Sequence, residues 1–314
     1  MENNFFDIQV NGYAGVDFNQ PDLTAEELHN TCEKLKSDGV TGILATIITA
    51  NADQMQKCLQ NVVQYRNEDA LIREVIYGIH IEGPFINNDD GYRGAHPKEF
   101  IAKPDTDLMK ALLDSAGGLT KIVTLAPEID SENNLTRMLS DEGIIVSAGH
   151  CNPSIEQLRS AVDSGLSMFT HLGNGCPQVL PRHDNIIQRA LSLSDDLWFC
   201  FIADGIHIPF YALKNYLSVA GIERSIITTD AMAAASAGPG QYKISHITLE
   251  VGNDGIVREP GRDNFAGSSA TMKQSFINLV EEIGLSEKDA IKLTMTNPLK
   301  ALRIEKDNFK VSLK

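Results

Sequence analysis

Four polar residues, Glu82, His150, His171 and Asp230, each end a separate apolar, β-branched run of this chain: YGIHIEGP (77–84), IIVSAGH (144–150), MFTHLGN (168–174) and SIITTDA (225–231). A catalytic divalent ion takes about three protein ligands and keeps one position open for water. Glu82, His150 and His171 have the composition of such a set. Asp230 would add a carboxylate able to take a proton from attacking water and return it to a leaving amine. Taken singly, each has a plainer explanation, as a hydrogen-bonded rim histidine or, for Asp230, a cap on the following segment. Their recurrence at four run ends favours a metal-dependent hydrolase. An unpaired carboxylate at the end of the apolar run Ile79-His80-Ile81 would be costly, so Glu82 needs a partner. Strand alternation puts His80 on the same side as Glu82, as a rival ligand or a supporting residue.

One architecture brings such residues together. In a closed parallel βα barrel the C-terminal strand ends meet at one mouth, and catalytic groups come from several strands. Eight strand-like runs alternate with helical patterns here: Phe5–Val10, Gly42–Ile48, Glu74–Ile81, Lys121–Ala126, a run ending at His150, one at Met168, Trp198–Ala203 and Ser225–Thr229. Capping-box patterns at Thr24–Glu27 and Ser154–Gln157 open two of the helices, and another is expected from about Asp53 to Arg66. The fold class expected is therefore α/β, a (β/α)8 TIM-type barrel. A doubly wound sheet would gather its ligands at one switch point, whereas candidates here recur at strands one, three, five, six and eight. Residues 1–314 read as a single barrel domain.

Three stretches interrupt the alternation on the mouth side: Phe85–Pro104, Gly173–Asn185 and Ala233–Gly267. The last includes a hairpin pattern from Ile247 to Val257 around Asn253-Asp254-Gly255. Loops this long within a compact domain are usually functional. The tail from Ser269 to Leu302 reads as helices.

Bulk properties narrow the function. The 27 basic and 42 acidic residues give a formal net charge of −15. That balance disfavours nucleic acid and anionic membranes, both of which attract Lys and Arg. Five cysteines without a Cys-x-x-Cys spacing suggest no disulfide framework; Cys176 follows a candidate ligand strand and could line the pocket. No secretory signal or membrane-length apolar run is visible, so the expected location is the cytoplasm.

The motifs GIHIEGPFIN (78–87), RGAH (93–96), SAGH (147–150), THLGNG (170–175), ADGIHIP (203–209), TTDA (228–231) and AGSSATM (266–272) lie in an order that resembles the N-acetylglucosamine-6-phosphate deacetylase family of the amidohydrolase superfamily. The resemblance runs from Asp7 to about Ala301. It implies metal ligation by Glu82, His150 and His171, with Asp230 as general base and acid. It implies that His96 polarises the acetyl carbonyl, and that His207, Asn174 and Gly175 meet the sugar phosphate. Arg182 stands where the family places a phosphate-binding arginine, often supplied by the other subunit of a homodimer. The implied substrate is a small amino-sugar phosphate.

Many amidohydrolases carry His-x-His on the first strand for a second ion. Here Gln9 and Asn11 stand there, so one divalent ion per chain is expected, with Gln9 facing it. Zinc is the expected ion, although nitrogen and oxygen donors also accept iron, manganese or cobalt. Many relatives also have a small β domain, for which this sequence leaves no evident room. The alternative functions are another amidohydrolase, acting on a different N-acetyl amino sugar or a cyclic amide, and a non-catalytic sugar-phosphate-binding barrel.

Overall fold

The computed structural model describes residues 4–260 and 267–304. Met1 to Asn3, Ala266 of the last motif and the end of the chain lie outside the described residues. Eight parallel strands follow one another around a barrel: β1 (Phe5–Val10), β2 (Val40–Ile48), β3 (Ile76–Glu82), β4 (Thr120–Leu125), β5 (Ile145–Ala148), β6 (Leu166–Phe169), β7 (Trp198–Phe201) and β8 (Ser225–Ile227). A parallel bridge from Val10 to Ala231 joins the last strand's extension back to the first. The expected strands are all present, but β5, β6 and β8 stop two or three residues before His150, His171 and Asp230.

The helices form where local chemistry favours them. Helix α1 (Ala25–Ser37) opens on the Thr24–Glu27 capping box and turns Leu28, Cys32 and Leu35 inward. Asn51 caps α2 (Ala52–Glu68) by accepting from the Gln54 amide, which starts that helix one residue earlier than its sequence suggests. The Ser154–Gln157 box is formed at Ile155–Asp163. The final segment includes a short π-helical stretch, Lys292–Thr296, between two short α-helices.

Strand alternation divides the core into two. Ile43, Ala45, Ile47, Ile79, Ile81, Val123, Leu125, Val146 and Phe199 pack outward against the helices. Phe6, Ile8, Leu44, Ile122, Ile145, Met168, Cys200 and Ile226 fill the barrel floor. Above that floor the interior becomes polar. His80 Nε2 lies 2.8 Å from Thr124 Oγ1, Thr124 Oγ1 2.7 Å from Thr170 Oγ1, and Thr170 Oγ1 2.6 Å from Ser147 Oγ. His80 therefore belongs to a buried belt one layer beneath Glu82, and burial pushes its pKa down to about 4.

The chain after β8 forms a separate antiparallel sheet of β9 (Gly240–Ile244), β10 (Ile247–Val251) and β11 (Val257–Arg258), which packs on Ile48 and Met232. The hairpin expected around Asn253-Asp254-Gly255 joins its last two strands. The strand Gly240–Ile244 went unforeseen, since its sequence GQYKI is mostly exposed and has little apolar patterning.

Candidate active site

Glu82 is the last residue of β3, and its carboxylate is the centre of the site. Its Oε1 lies 3.1 Å from His150 Nε2 and 2.9 Å from His171 Nε2. The ligand atoms of these three buried residues all lie within 4.8 Å of one another, a grouping able to hold a metal ion. Burial opposes ionisation of Glu82, but hydrogen bonds and charge from the two imidazoles outweigh it and hold the carboxyl well below the usual range. Glu82 reciprocally raises the pKa of His171 against the effect of burial.

The backbone directs these side chains by turning sharply just beyond each strand. His150, His171 and Asp230 have φ of 50°, 32° and 51°, a left-handed conformation that non-glycine residues seldom adopt. Such strained residues concentrate at functional sites, where the surrounding structure must hold them. The Tyr92 carbonyl does so for His150, accepting from Nδ1 at 2.8 Å and leaving Nε2 toward Glu82. Gly175 lies close against that ring. A Cβ added there would come within 2.8 Å of Nδ1, and its φ of +60° independently favours glycine.

Asp230 Oδ1 accepts from Gln9 Nε2 at 3.0 Å and Asn11 Nδ2 at 2.7 Å. Gln9 also reaches Glu82 Oε2 at 3.2 Å, so it lies between the two carboxylates. Among the described residues, no hydrogen bond engages Asp230 Oδ2. Burial and the nearby charge of Glu82 push the Asp230 pKa up to about 6, a range suited to proton transfer near neutrality. Asn11's contact with Asp230 was not anticipated from the sequence, which pointed only to Gln9.

A cavity of about 680 Å³ opens over this cluster. Its walls include His96, Asn174, Gly175, Cys176 and His207 with the three candidate ligands and Asp230. His96 is buried, with its ring centroid 4.4 Å from that of His150. Burial and the adjacent imidazole push its pKa down to about 3. His207 Nδ1 lies 2.6 Å from Asp204 Oδ2, while Asp204 Oδ1 accepts from the amides of Ile206 and His207. The motif 203–209 points to His207 in sequence but gives no sign that Asp204 holds it, because that contact exists only once the turn is folded.

Arg182 is set apart from the other site candidates. It is exposed and does not line this cavity in its own chain. Its near neighbour in sequence, Asp184, pairs instead with Arg189 at 2.6 Å.

No protein-family model matches the chain. Individual relatives do match it. N-acetylglucosamine-6-phosphate deacetylase of Bacillus subtilis is 34% identical over 300 residues, covering 95% of this chain and 74% of that protein. The Bos taurus protein of the same name is 30% identical over 316 residues, covering 96% and 74%. Among solved structures, a mutant of the Mycobacterium smegmatis deacetylase in complex with N-acetyl-D-glucosamine-6-phosphate superposes with a TM-score of 0.86 at 29% identity, over 96% of this chain and 77% of that one. The Thermotoga maritima deacetylase gives 0.84 at 27% identity, over 96% and 78%. With the barrel, the carboxylate–imidazole cluster and identity extending across nearly all its length, this chain belongs to the N-acetylglucosamine-6-phosphate deacetylase family.

Proposed function

We propose that this barrel hydrolyses the N-acetyl group of N-acetylglucosamine 6-phosphate, giving glucosamine 6-phosphate and acetate, as one catalytic domain with the three-stranded sheet as an insertion. The observation that carries this reading is the placement of Asp230 beside the Glu82–His150–His171 cluster, with Gln9 hydrogen-bonded to both carboxylates.

Glu82, His150 and His171 would hold one divalent ion, with zinc favoured by the carboxylate–bis-imidazole donor set. When bound, that ion supplies Lewis acidity, acidifying water and polarising the acetyl carbonyl. The protein's own groups move the protons. Asp230 takes one from the attacking water through the oxygen that Gln9 and Asn11 leave unengaged. It then delivers that proton to the nitrogen as the C–N bond breaks. His96, buried at the cavity wall, donates a hydrogen bond to the carbonyl oxygen as negative charge develops there.

Asn174, Gly175 and His207 would receive the sugar phosphate. Arg182 would complete that site in a homodimer by reaching the cavity of the partner subunit, a reading supported by its exposure and its absence from its own cavity wall. The direct test is acetate release by zinc-loaded protein from N-acetylglucosamine 6-phosphate and from the unphosphorylated sugar. Release from the phosphorylated sugar with much higher kcat/KM is expected. Failure to release acetate from either would overturn the proposal.

A further inference from the structure

His96 can stabilise an oxyanion only if the nitrogen facing the substrate carries a proton. A neutral imidazole has one N–H, and the partner of the other nitrogen determines which one it is. His96 is 4% exposed and packs edge-on against His150. Its Nδ1 lies 2.8 Å from the hydroxyl of Thr49, a buried residue immediately after β2. Among the described residues, nothing hydrogen-bonds its Nε2.

Thr49 has one hydroxyl hydrogen and two possible acceptors for it. One is His96 Nδ1; the other is the Glu82 carbonyl, 3.4 Å away. If the hydroxyl turned to Glu82, it would accept from Nδ1–H and leave Nε2 bare, unable to donate. Hydroxyl hydrogen bonds to oxygen span roughly 2.5–3.0 Å, so the Glu82 contact is long. The 2.8 Å contact is kept in either arrangement, and turning to Glu82 adds only this long second contact, so little opposes the hydroxyl giving its hydrogen to Nδ1.

We propose that Thr49 is a positioning residue that donates its hydroxyl hydrogen to His96 Nδ1 and thereby keeps a proton on Nε2 for the acetyl oxygen. The assignment rests on the carbonyl-polarising role given to His96 above, and the tests separate the two. Thr49→Val keeps the side-chain shape but removes the hydroxyl, while Thr49→Ser restores it. In zinc-loaded protein, kcat should fall by roughly 10²-fold in Thr49→Val, the scale of losing one oxyanion donor. KM and metal content should stay close to wild type, and Thr49→Ser should recover most of the lost rate.

The tautomer can be read directly by ¹⁵N-histidine NMR, with the His96 resonances assigned from their loss in His96→Gln. Wild-type protein should show a protonated Nε2 and a bare Nδ1, and Thr49→Val should lose that single assignment. A wild-type proton on Nδ1, or an unchanged tautomer and kcat in Thr49→Val, would overturn the assignment to Thr49. Full turnover by His96→Ala would instead sink the role of His96 itself, while the NMR result would still decide what Thr49 does.

Discussion

Gln9 Nε2 stands 3.2 Å from Glu82 Oε2, so a neutral amide contacts the carboxylate from the side of the first strand. An amide is a poor transition-metal donor compared with imidazole. One tightly bound divalent ion per chain is therefore expected by elemental analysis of protein purified without added metal. Glu82→Gln should lower metal content and activity together. Two tight equivalents per chain would refute the single-ion assignment.

Asp230→Asn tests proton transfer. The substitution keeps the size of the side chain but removes its basic oxygen. Metal content and substrate affinity should be retained, while kcat falls by roughly 10²–10⁴-fold, the contribution of a positioned general acid–base. The acidic limb of the kcat profile should also vanish. Near-normal turnover would reduce Asp230 to a structural cap.

Arg182→Ala should sharply lower kcat/KM for the 6-phosphorylated sugar while barely altering the slow reaction of the unphosphorylated one, because a guanidinium pairs with phosphate in a bidentate manner that a methyl group cannot replace. Mixing Arg182→Ala with Asp230→Asn under subunit exchange should restore some activity if the arginine acts across a dimer. Equal losses on both substrates would place phosphate recognition elsewhere.

Asp7 gives a stability prediction. Its buried carboxylate accepts from Thr228 Oγ1, Thr229 Oγ1 and the amides of Gln9 and Thr229, linking β1 to the end of β8. Burial outweighs those bonds and pushes its pKa from 3.8 to about 6. The folded state thus holds this proton more tightly than the unfolded state. Stability contributed by protonated Asp7 is present at low pH and declines as pH rises from about 4 to 6. Asp7→Asn cannot ionise, so its stability relative to wild type should rise by about 2 kcal/mol across that window, measured by denaturant titration at several pH values. A constant difference would show that Asp7 does not titrate there.

The barrel was legible because its strands alternate cleanly: Ile79 and Ile81 face helices while His80 and Glu82 face inward. The run-end positions of Glu82, His150, His171 and Asp230 likewise marked the candidate site. Other contacts left weaker traces. His150 is held by the backbone carbonyl of Tyr92, which any residue there would provide. Thr49 looks like an ordinary β-branched residue until His96 is folded against it. His80 and Glu82 share a face, and only their depth in the barrel separates belt from cluster. Gly240–Ile244 pairs through its backbone while its side chains remain largely exposed, so its pattern carried little strand signal.

The Tyr92–His150 hydrogen bond ties the long loop after β3 to a candidate metal ligand. Loop order and ion affinity are then thermodynamically linked, and the linkage works in both directions. An ion that favours the present His150 orientation also favours the loop conformation that supplies the Tyr92 carbonyl. A sugar that steadies this loop tightens the hold on the ion by the same free energy. Chelator resistance would therefore rise as substrate analogue accumulates, even when the analogue never touches the ion.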